Sequence, residues 1–367
     1  MDEPTMPLPQ PTPAMVFKPE IARTTLPMPG YRPPSAPPFV PNSPPLPPNQ
    51  LQRVGSGWRW FRRSMLLVLV LVVLMMSVFV HRAYDFGAAI STQSPFSSQL
   101  SGTGRVSIVF LGYGGEGHDG PYLTDSLLVL TFDHASGKSA LISVPRDLWV
   151  QVPPSSGQYA KLNTAYSYGF YKGGPNLGGS IAAQKVSEIL GINVPYWLSL
   201  DFTGFAQLVD KLGGVDINVP NDFHASLSPT YAPFTVFHHG VQHMDGAQAL
   251  LFARARYNSP AAEASDFARS VRQQILIKAL VSKMRSPLAW IAIPGVMDAL
   301  QTRVHTNLSL RDLTTLFTQS DLAQALHIGL TNQNVLIDAT VAGQAILLPA
   351  QNDWSVIVDY VQTQLQQ

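Results

Sequence analysis

The chain has 367 residues, enough for two or three domains, and 46% of them are hydrophobic, ample for a sizeable core. Only 13% are charged, and 24 basic against 23 acidic side chains leave a net +1, which argues against a nucleic-acid binder driven by bulk charge. With no cysteine, disulfides, zinc–thiolate and iron–sulfur sites and thiol nucleophiles are excluded. Residues 1–50 hold 17 of the 31 prolines, and proline removes the backbone donors that helices and ladders need. A disordered or polyproline-II tail is therefore predicted over 1–63. It suits a plain spacer and also offers PxxP docking to an SH3-like partner.

Residues 65–80, MLLVLVLVVLMMSVFV, contain Ser77 as their one polar side chain. As a helix they span about 24 Å, short of a ~30 Å hydrocarbon core, so Trp60, Phe61 and Ala83 are expected to help complete the crossing. One transmembrane helix over 64–83 follows, retained as an anchor because no small-residue cleavage site stands out after it. Arg53, Arg59, Arg62 and Arg63 precede the span and only His81 and Arg82 follow it closely, which places the tail in the cytoplasm and the rest outside the cell membrane. Residues 1–82 carry 8 Lys/Arg and 3 Asp/Glu, whereas 83–367 carry 16 and 20, so the outer part is mildly acidic.

A Ser-, Gly- and Gln-rich stretch inside 84–104 reads as a linker. Continuous β-branched runs at 106–111, 127–132 and 140–144 predict central strands covered on both faces. Helical patterns follow at 181–190 and 205–212, with strands at 196–202 and 215–219. Asp245 and Asp266 are expected N-caps of helices reaching Ala253 and about Met284. The alternation predicts an α/β fold, an α/β/α sandwich around a central mixed β-sheet, over 105–285. Residues 286–367 read as a helix, two short strands (334–340 and 345–348) and a last helix near Trp354, forming a C-terminal extension packed on the same domain.

Two motifs mislead. Gly112–Gly117 matches GxGxxG, but His118-Asp119-Gly120-Pro121 and another strand follow, with no helix to supply a dipole, so tight turning is the better reading. His238, His239 and His243 form HHxxxH, yet Gly240 interrupts the segment, and a polar loop before a helix outweighs a zinc site. A GxSxG nucleophile elbow is absent. The polar groups at strand ends are harder to explain as structure: Thr124-Asp125, Pro145-Arg146-Asp147 and Lys161. A second set comprises Arg254, Arg256, Asp266, Arg269, Arg272 and Gln273. Cations gathered this way repel one another unless a polyanion neutralises them, and the arginine fork suits phosphate oxygens, so a diphosphate is the natural guest. A surface salt-bridge network is the competing account.

In order, the segments LTDSLLVLTFD, ALISVPRDLWV, KLNTAYSYG, FTGFAQLVDKLGGVDINVP, DGAQALLFARARY and SDFARSVRQQ resemble the LytR-CpsA-Psr family of cell-envelope phosphotransferases. The resemblance covers roughly 105–285. It implies an α/β/α domain with a hydrophobic cavity for a polyprenyl chain, and transfer of a glycopolymer from a polyprenyl-diphosphate carrier to peptidoglycan or another envelope acceptor. It further implies that Asp125 holds magnesium, or manganese, and that Arg146, Arg254, Arg256 and Arg269 bind the diphosphate, with Lys161, Arg272 and Gln273 close by. Gly114 stands where many family members carry a metal-binding aspartate. Asp119 is the expected substitute, with Glu116 or an extra water as alternatives. The apolar faces of 181–190, 205–212 and 275–280 suit a lipid cavity and equally an ordinary core. In-line attack by a hydroxyl needs no nucleophilic side chain, and Asp266 is the candidate to hydrogen-bond that hydroxyl or take its proton. Hydrolysis of the lipid diphosphate, and a non-catalytic envelope regulator that binds it, use the same residues.

Overall fold

The computed structural model describes residues 57–98, 100, 104–227, 235–322 and 324–366, without the side chains of 57–59 and 266–267. Most of the expected proline-rich tail, residues 1–56, lies outside the described residues. Contacts divide the chain into Met1–Arg63 and Ser64–Gln367, and the fold below is that of the second unit. Helix α1 (Gly57–Ile90) contains a stretch, Trp60–Ile90, that is long and apolar enough to cross a membrane. None of its apolar window is buried in protein, unlike a core helix, whose apolar side chains find partners. The helix continues past residue 83 because Phe86 and Ile90 pack with Leu208, Leu212, Ala289 and Leu300. The first part of the expected linker 84–104 is therefore helix.

The three β-branched runs form strands β1 (Arg105–Tyr113), β2 (Thr124–Asp133) and β3 (Ser139–Val144), antiparallel in succession. A short antiparallel pair follows, β4 (Trp149–Gln151) with β5 (Tyr159–Lys161), and then helix α2 (Thr164–Leu190). Only its second half has a readable helical period, because Gly173 and Gly174 leave helical geometry and Pro175 follows them. Strand β6 (Tyr196–Asp201) lies parallel to β1 and leads directly into helix α3 (Phe202–Lys211).

Beyond it, β7 (Val215–Val219), β8 (Phe223–Ala225), β9 (Thr235–Phe237) and β10 (Gly240–Met244) form two small antiparallel pairs, β7 with β10 and β8 with β9. Helix α4 (Gly246–Arg254) starts at Asp245, which accepts from Gln248 N–H in a full capping box. Helix α5 (Asp266–Met284) corrects one expectation: its N-cap is Ser265, whose hydroxyl accepts from Ala268 N–H, and Asp266 is the first helical residue.

Helix α6 (Ala289–Leu300), β11 (Val304–Thr306), α7 (Leu310–Gln319), β12 (Leu326–Gly329), the antiparallel pair β13 (Leu336–Val341) and β14 (Gln344–Pro349), and α8 (Ser355–Leu365) complete the chain. The central sheet is mixed, in the order β11-β6-β1-β2-β3-β12. Both edge strands thus come from 286–367, and the expected extension is an integral part of the sandwich. Alternate residues of β1 and β2 face opposite layers. Val109, Leu111, Leu127 and Val129 pack with α2 and α8 side chains such as Val186, Ile189 and Ile357. Ile108, Leu128 and Leu130 pack with Leu316 of α7 and, on α5, the partly buried Ile277 and Val281.

Candidate functional site

Antiparallel pairing of β2 with β3 places Leu127 opposite Val144, so Asp125, two residues before the pair, meets Arg146, two residues beyond it. The loop carrying Arg146 is stitched in place by the backbone. Asn163 N–H donates to Arg146 O at 3.0 Å, Leu162 N–H to Leu148 O at 2.8 Å, and Thr124 N–H to Asn163 O at 3.1 Å. Three chain segments are thereby held at one end of β2, each with a charged side chain.

Around them two carboxylates and four cations converge. Arg146 Nη1 donates to Asp125 Oδ1, and Arg254 Nη2, from the last turn of α4, lies 3.5 Å from Asp125 Oδ2. Lys161 Nζ donates to Asp147 Oδ1 at 2.8 Å, while Arg146 Nε and Arg256 Nη2 stand 3.4 and 4.0 Å from Asp147 Oδ2. The Arg254 guanidinium also rests 3.8 Å from the centre of the Phe202 ring, a cation–π seat that fixes the fork's plane. Four positive against two negative groups leave an excess of positive charge, and Arg146 Nε–H makes no hydrogen bond among the described residues. Arg146, Asp147, Lys161 and Arg254 are only 21–24% exposed, so their attraction for an anion is weakly screened.

Electrostatics follow from this geometry. Burial by itself raises the Asp147 carboxyl, but the hydrogen bond from Lys161 and the charges of Arg146, Lys161 and Arg256 outweigh it and hold the group below the usual carboxylate range. Burial lowers the Arg254 guanidinium, opposed by Asp125 and helped by the like charge of Arg146. A patch of this kind is suited to a multiply charged phosphate group.

The glycine-rich loop between β1 and β2 closes on itself, with Gly115 N–H donating to Pro121 O at 2.7 Å. Gly115 adopts φ +82 beside Asp201, where an added Cβ would sit 3.1 Å from the Asp201 Cβ. Asp201 caps α3 through Gly204 N–H at 2.6 Å and receives Arg303 Nη1 at 3.1 Å. A Cβ on Gly114 would lie 2.8 Å from the His118 Cβ, so His118 fills the space of a side chain at 114. Its ring meets the Phe202 ring edge-on at 5.7 Å. Burial raises the Tyr113 and Tyr166 phenols behind this loop, leaving them neutral hydrogen-bonding walls.

Not every expected site residue joins the cluster. Arg272, expected at the diphosphate, is 1% exposed. Its Nε donates to Phe252 O at 3.0 Å, Nη1 to Glu263 O at 2.8 Å and Oε2 at 3.1 Å, and Nη2 to Ala255 O at 2.8 Å. It ties α5 to the end of α4. Gln273 Nε2 likewise donates to Ala253 O at 3.4 Å. Both act as braces, the buried guanidinium and the partly buried amide each donating to the carbonyls beside it. Arg269 stands in the first turn of α5, near enough to depress Arg272 by like charge. The side chain of Asp266 lies outside the described residues. His238 and His239 fall in a loop and His243 in β10, where its Nδ1 meets Asp216 Oδ1 at 2.8 Å. From the sequence Asp147 stands out only as one of the polar groups at strand ends, and Phe202 and Asp201 go unnoticed, although an Asp closing a strand before a helix is a readable cap.

Among the described residues no three His, Asp or Glu side chains form a metal-binding group. Magnesium, however, commonly takes one or two protein carboxylates and completes its octahedron with water and substrate phosphate oxygens. Asp125 fits that mode, being half-buried among the phosphate-seeking cations. Asp119, the expected second ligand, is exposed on the glycine-rich loop. The expected lining at 181–190 faces inward, with Ala182, Ala183, Val186, Ile189 and Leu190 in the apolar core.

Fold and site together define an α/β/α protein that presents a recessed cluster of arginine and lysine side chains around two carboxylates. The chain belongs to the LytR_cpsA_psr family, whose profile matches residues 74–358. Among its relatives, the polyisoprenyl-teichoic acid–peptidoglycan teichoic acid transferase TagV of Bacillus subtilis (strain 168) is 29% identical over 233 residues, covering 62% of this chain and 54% of TagV. TagU of Bacillus mycoides (strain KBAB4), a transferase of the same name, is 30% identical over 213 residues, covering 58% and 64%. The chain thus spans less than two thirds of these relatives. The crystal structure of B. subtilis TagV superposes with a TM-score of 0.55 at 25% identity, covering 72% of this chain and 99% of that one. A structure of TagT bound to LI-WTA gives 0.55 at 24%, covering 74% and 95%.

Proposed function

We propose that the protein is a membrane-anchored, extracytoplasmic phosphotransferase that moves a glycopolymer from a polyprenyl-diphosphate carrier to a cell-wall hydroxyl, on peptidoglycan as in the names of TagV and TagU. The observation carrying this reading is the convergence of Arg146, Arg254, Arg256 and Lys161 on Asp125 and Asp147. Helix α1 is the single-pass anchor, with the tail cytoplasmic.

In this mechanism Arg146, Arg254 and Arg256 bind the diphosphate and Lys161 holds Asp147 ionised behind them. Arg269, in the first turn of α5, is a further diphosphate ligand. The acceptor hydroxyl oxygen forms a bond to the phosphorus nearer the glycan while the bridging P–O bond breaks, releasing polyprenyl monophosphate. The guanidinium groups neutralise charge developing on the phosphoryl and bridging oxygens. Asp266, at the start of α5, takes the hydroxyl proton. Magnesium or manganese held by Asp125, with Asp119 or water completing the ligand set, supplies Lewis-acid charge neutralisation when bound.

The prenyl chain is placed along α5. Among that helix's described side chains only Arg272 and Leu276 are fully buried, although Ile275, Ile277, Leu280 and Val281 each touch an apolar cluster. A helix half-covered on its apolar side has surface to offer a hydrocarbon.

The test incubates the full chain with labelled polyprenyl-diphosphate glycan, magnesium and a peptidoglycan acceptor. Label on the acceptor supports transfer. Glycan phosphate released into water supports the pyrophosphatase alternative, and binding without turnover supports a regulator, as the relative MsrR of Staphylococcus aureus (strain COL) is named.

A further inference from the structure

Outside α1, the most exposed large apolar side chains among the described residues are Tyr171 at 67%, Val241 at 74%, Leu288 at 75%, Trp290 at 67% and Ile291 at 80%. The first two stand apart. The other three fall within four consecutive residues at the start of α6, itself an unusually apolar helix for its length. A surface helix of a water-soluble domain turns such residues inward, and a concentrated patch marks a contact.

The position of this patch names the contact. Ser91, just past α1, bridges Thr306 in the parallel sense, and Arg82 pairs with Asp298 at 3.1 Å. Descending α1 from Ile90 to Arg82 therefore leads the same way as descending from Thr306 to Asp298. From Arg82, α1 continues into its wholly apolar stretch. From Asp298, α6 continues about 12 Å, eight residues, to Trp290. The exposed patch thus lies on the side of the domain toward which α1 carries its apolar run. Exposed Arg285, with Lys283 just before it in the chain, adds positive charge of the sign that anionic headgroups attract. Trp beside aliphatic residues is the composition of an interfacial contact.

We propose that the N-terminal end of α6, through Leu288, Trp290 and Ile291, docks shallowly into the outer-leaflet interface of the bilayer that α1 spans. This rests on the reading of α1 as a transmembrane anchor and goes beyond it. Because α1 already tethers the domain, a weak second contact suffices. Two attachments, unlike one, fix the tilt of the domain and hence the height of the cation cluster above the lipid from which its substrate comes.

The chain has no cysteine, so a single introduced thiol reports one position. Full-length Leu71→Cys, Val241→Cys and Ile291→Cys are labelled with an environment-sensitive fluorophore and reconstituted in liposomes containing anionic phospholipid. The expected result is that labels at 71 and 291 shift to the blue, lose quenching by aqueous iodide and gain quenching by nitroxide-bearing lipid, while the label at 241 stays open to iodide. A label at 291 as open to iodide as that at 241, with 71 shielded, overturns the docking alone. A label at 71 open to iodide overturns the membrane span and the docking with it.

Discussion

Replacing Arg272 by Ala separates the two accounts of the arginine-rich segment, because the residue is read as a phosphate ligand in sequence and as a brace in the structure. Its removal takes the cationic partner from the Glu263 carboxylate, 11% exposed, which keeps only the neutral Asn221 amide, and removes one donor each from the carbonyls of Phe252, Ala255 and Glu263, the last two retaining Asn258 Nδ2. Breaking a buried pair in this way costs about 3–5 kcal/mol. The contact of the guanidinium with the Phe223 ring, 5.1 Å away, is lost as well. For a domain of this size each kcal/mol moves the midpoint by roughly 2–4 °C, so thermal unfolding followed by circular dichroism should show a fall of roughly 6–20 °C. Arg256→Ala, at a side chain 39% exposed, should melt within about 0.5 kcal/mol of the parent and lose turnover by about 10²–10³-fold. The double change Glu263→Gln with Arg272→Met should recover part of the stability, since no unpaired charge remains. An Arg272→Ala variant that melts with the parent yet cannot turn over would refute the brace and return Arg272 to the phosphate site.

The remaining expectations are smaller. Phe202→Leu keeps an apolar side chain but removes the ring under Arg254; about 0.5–2 kcal/mol of cation–π seating corresponds to a fall in kcat/KM of roughly 2–30-fold, and an unchanged value would show the ring to be incidental. Asp147 binds its proton less readily folded than unfolded, so its stabilisation is fully present above the unfolded carboxyl value of about 3.9 and is lost as pH falls through the lower folded value. Urea unfolding at neutral and acid pH should therefore show a larger acid loss for the parent than for Asp147→Asn, and equal losses would contradict the ion-paired geometry. Asp245→Ala removes the capping box of α4 and should cost about 1 kcal/mol in the same unfolding assay, with full stability arguing that the cap carries no weight.

Local chemistry made much of this protein readable in advance. Unbroken β-branched runs are strands whatever surrounds them, a sixteen-residue apolar run cannot be hidden in an ordinary loop, and Asp245 before a helical period is a cap because amide donors need an acceptor within three residues. Asp125 and Arg146 were legible for the same reason, each closing or opening a strand at the end of the sheet. What escaped was decided by distance in space. Whether an arginine binds ligand or braces the fold depends on which carbonyls lie beside it after packing, and so Arg254 reached Asp125 across 129 residues while Arg272, on the next helix, turned inward to Glu263 and the end of α4. The edge strands of the sheet likewise come from 286–367, a pairing between segments far apart in the chain that no local period announces. Sequence alone determined which groups carry charge and which stretches must leave water; tertiary structure decided their neighbours, because burial and pairing are properties of three-dimensional proximity.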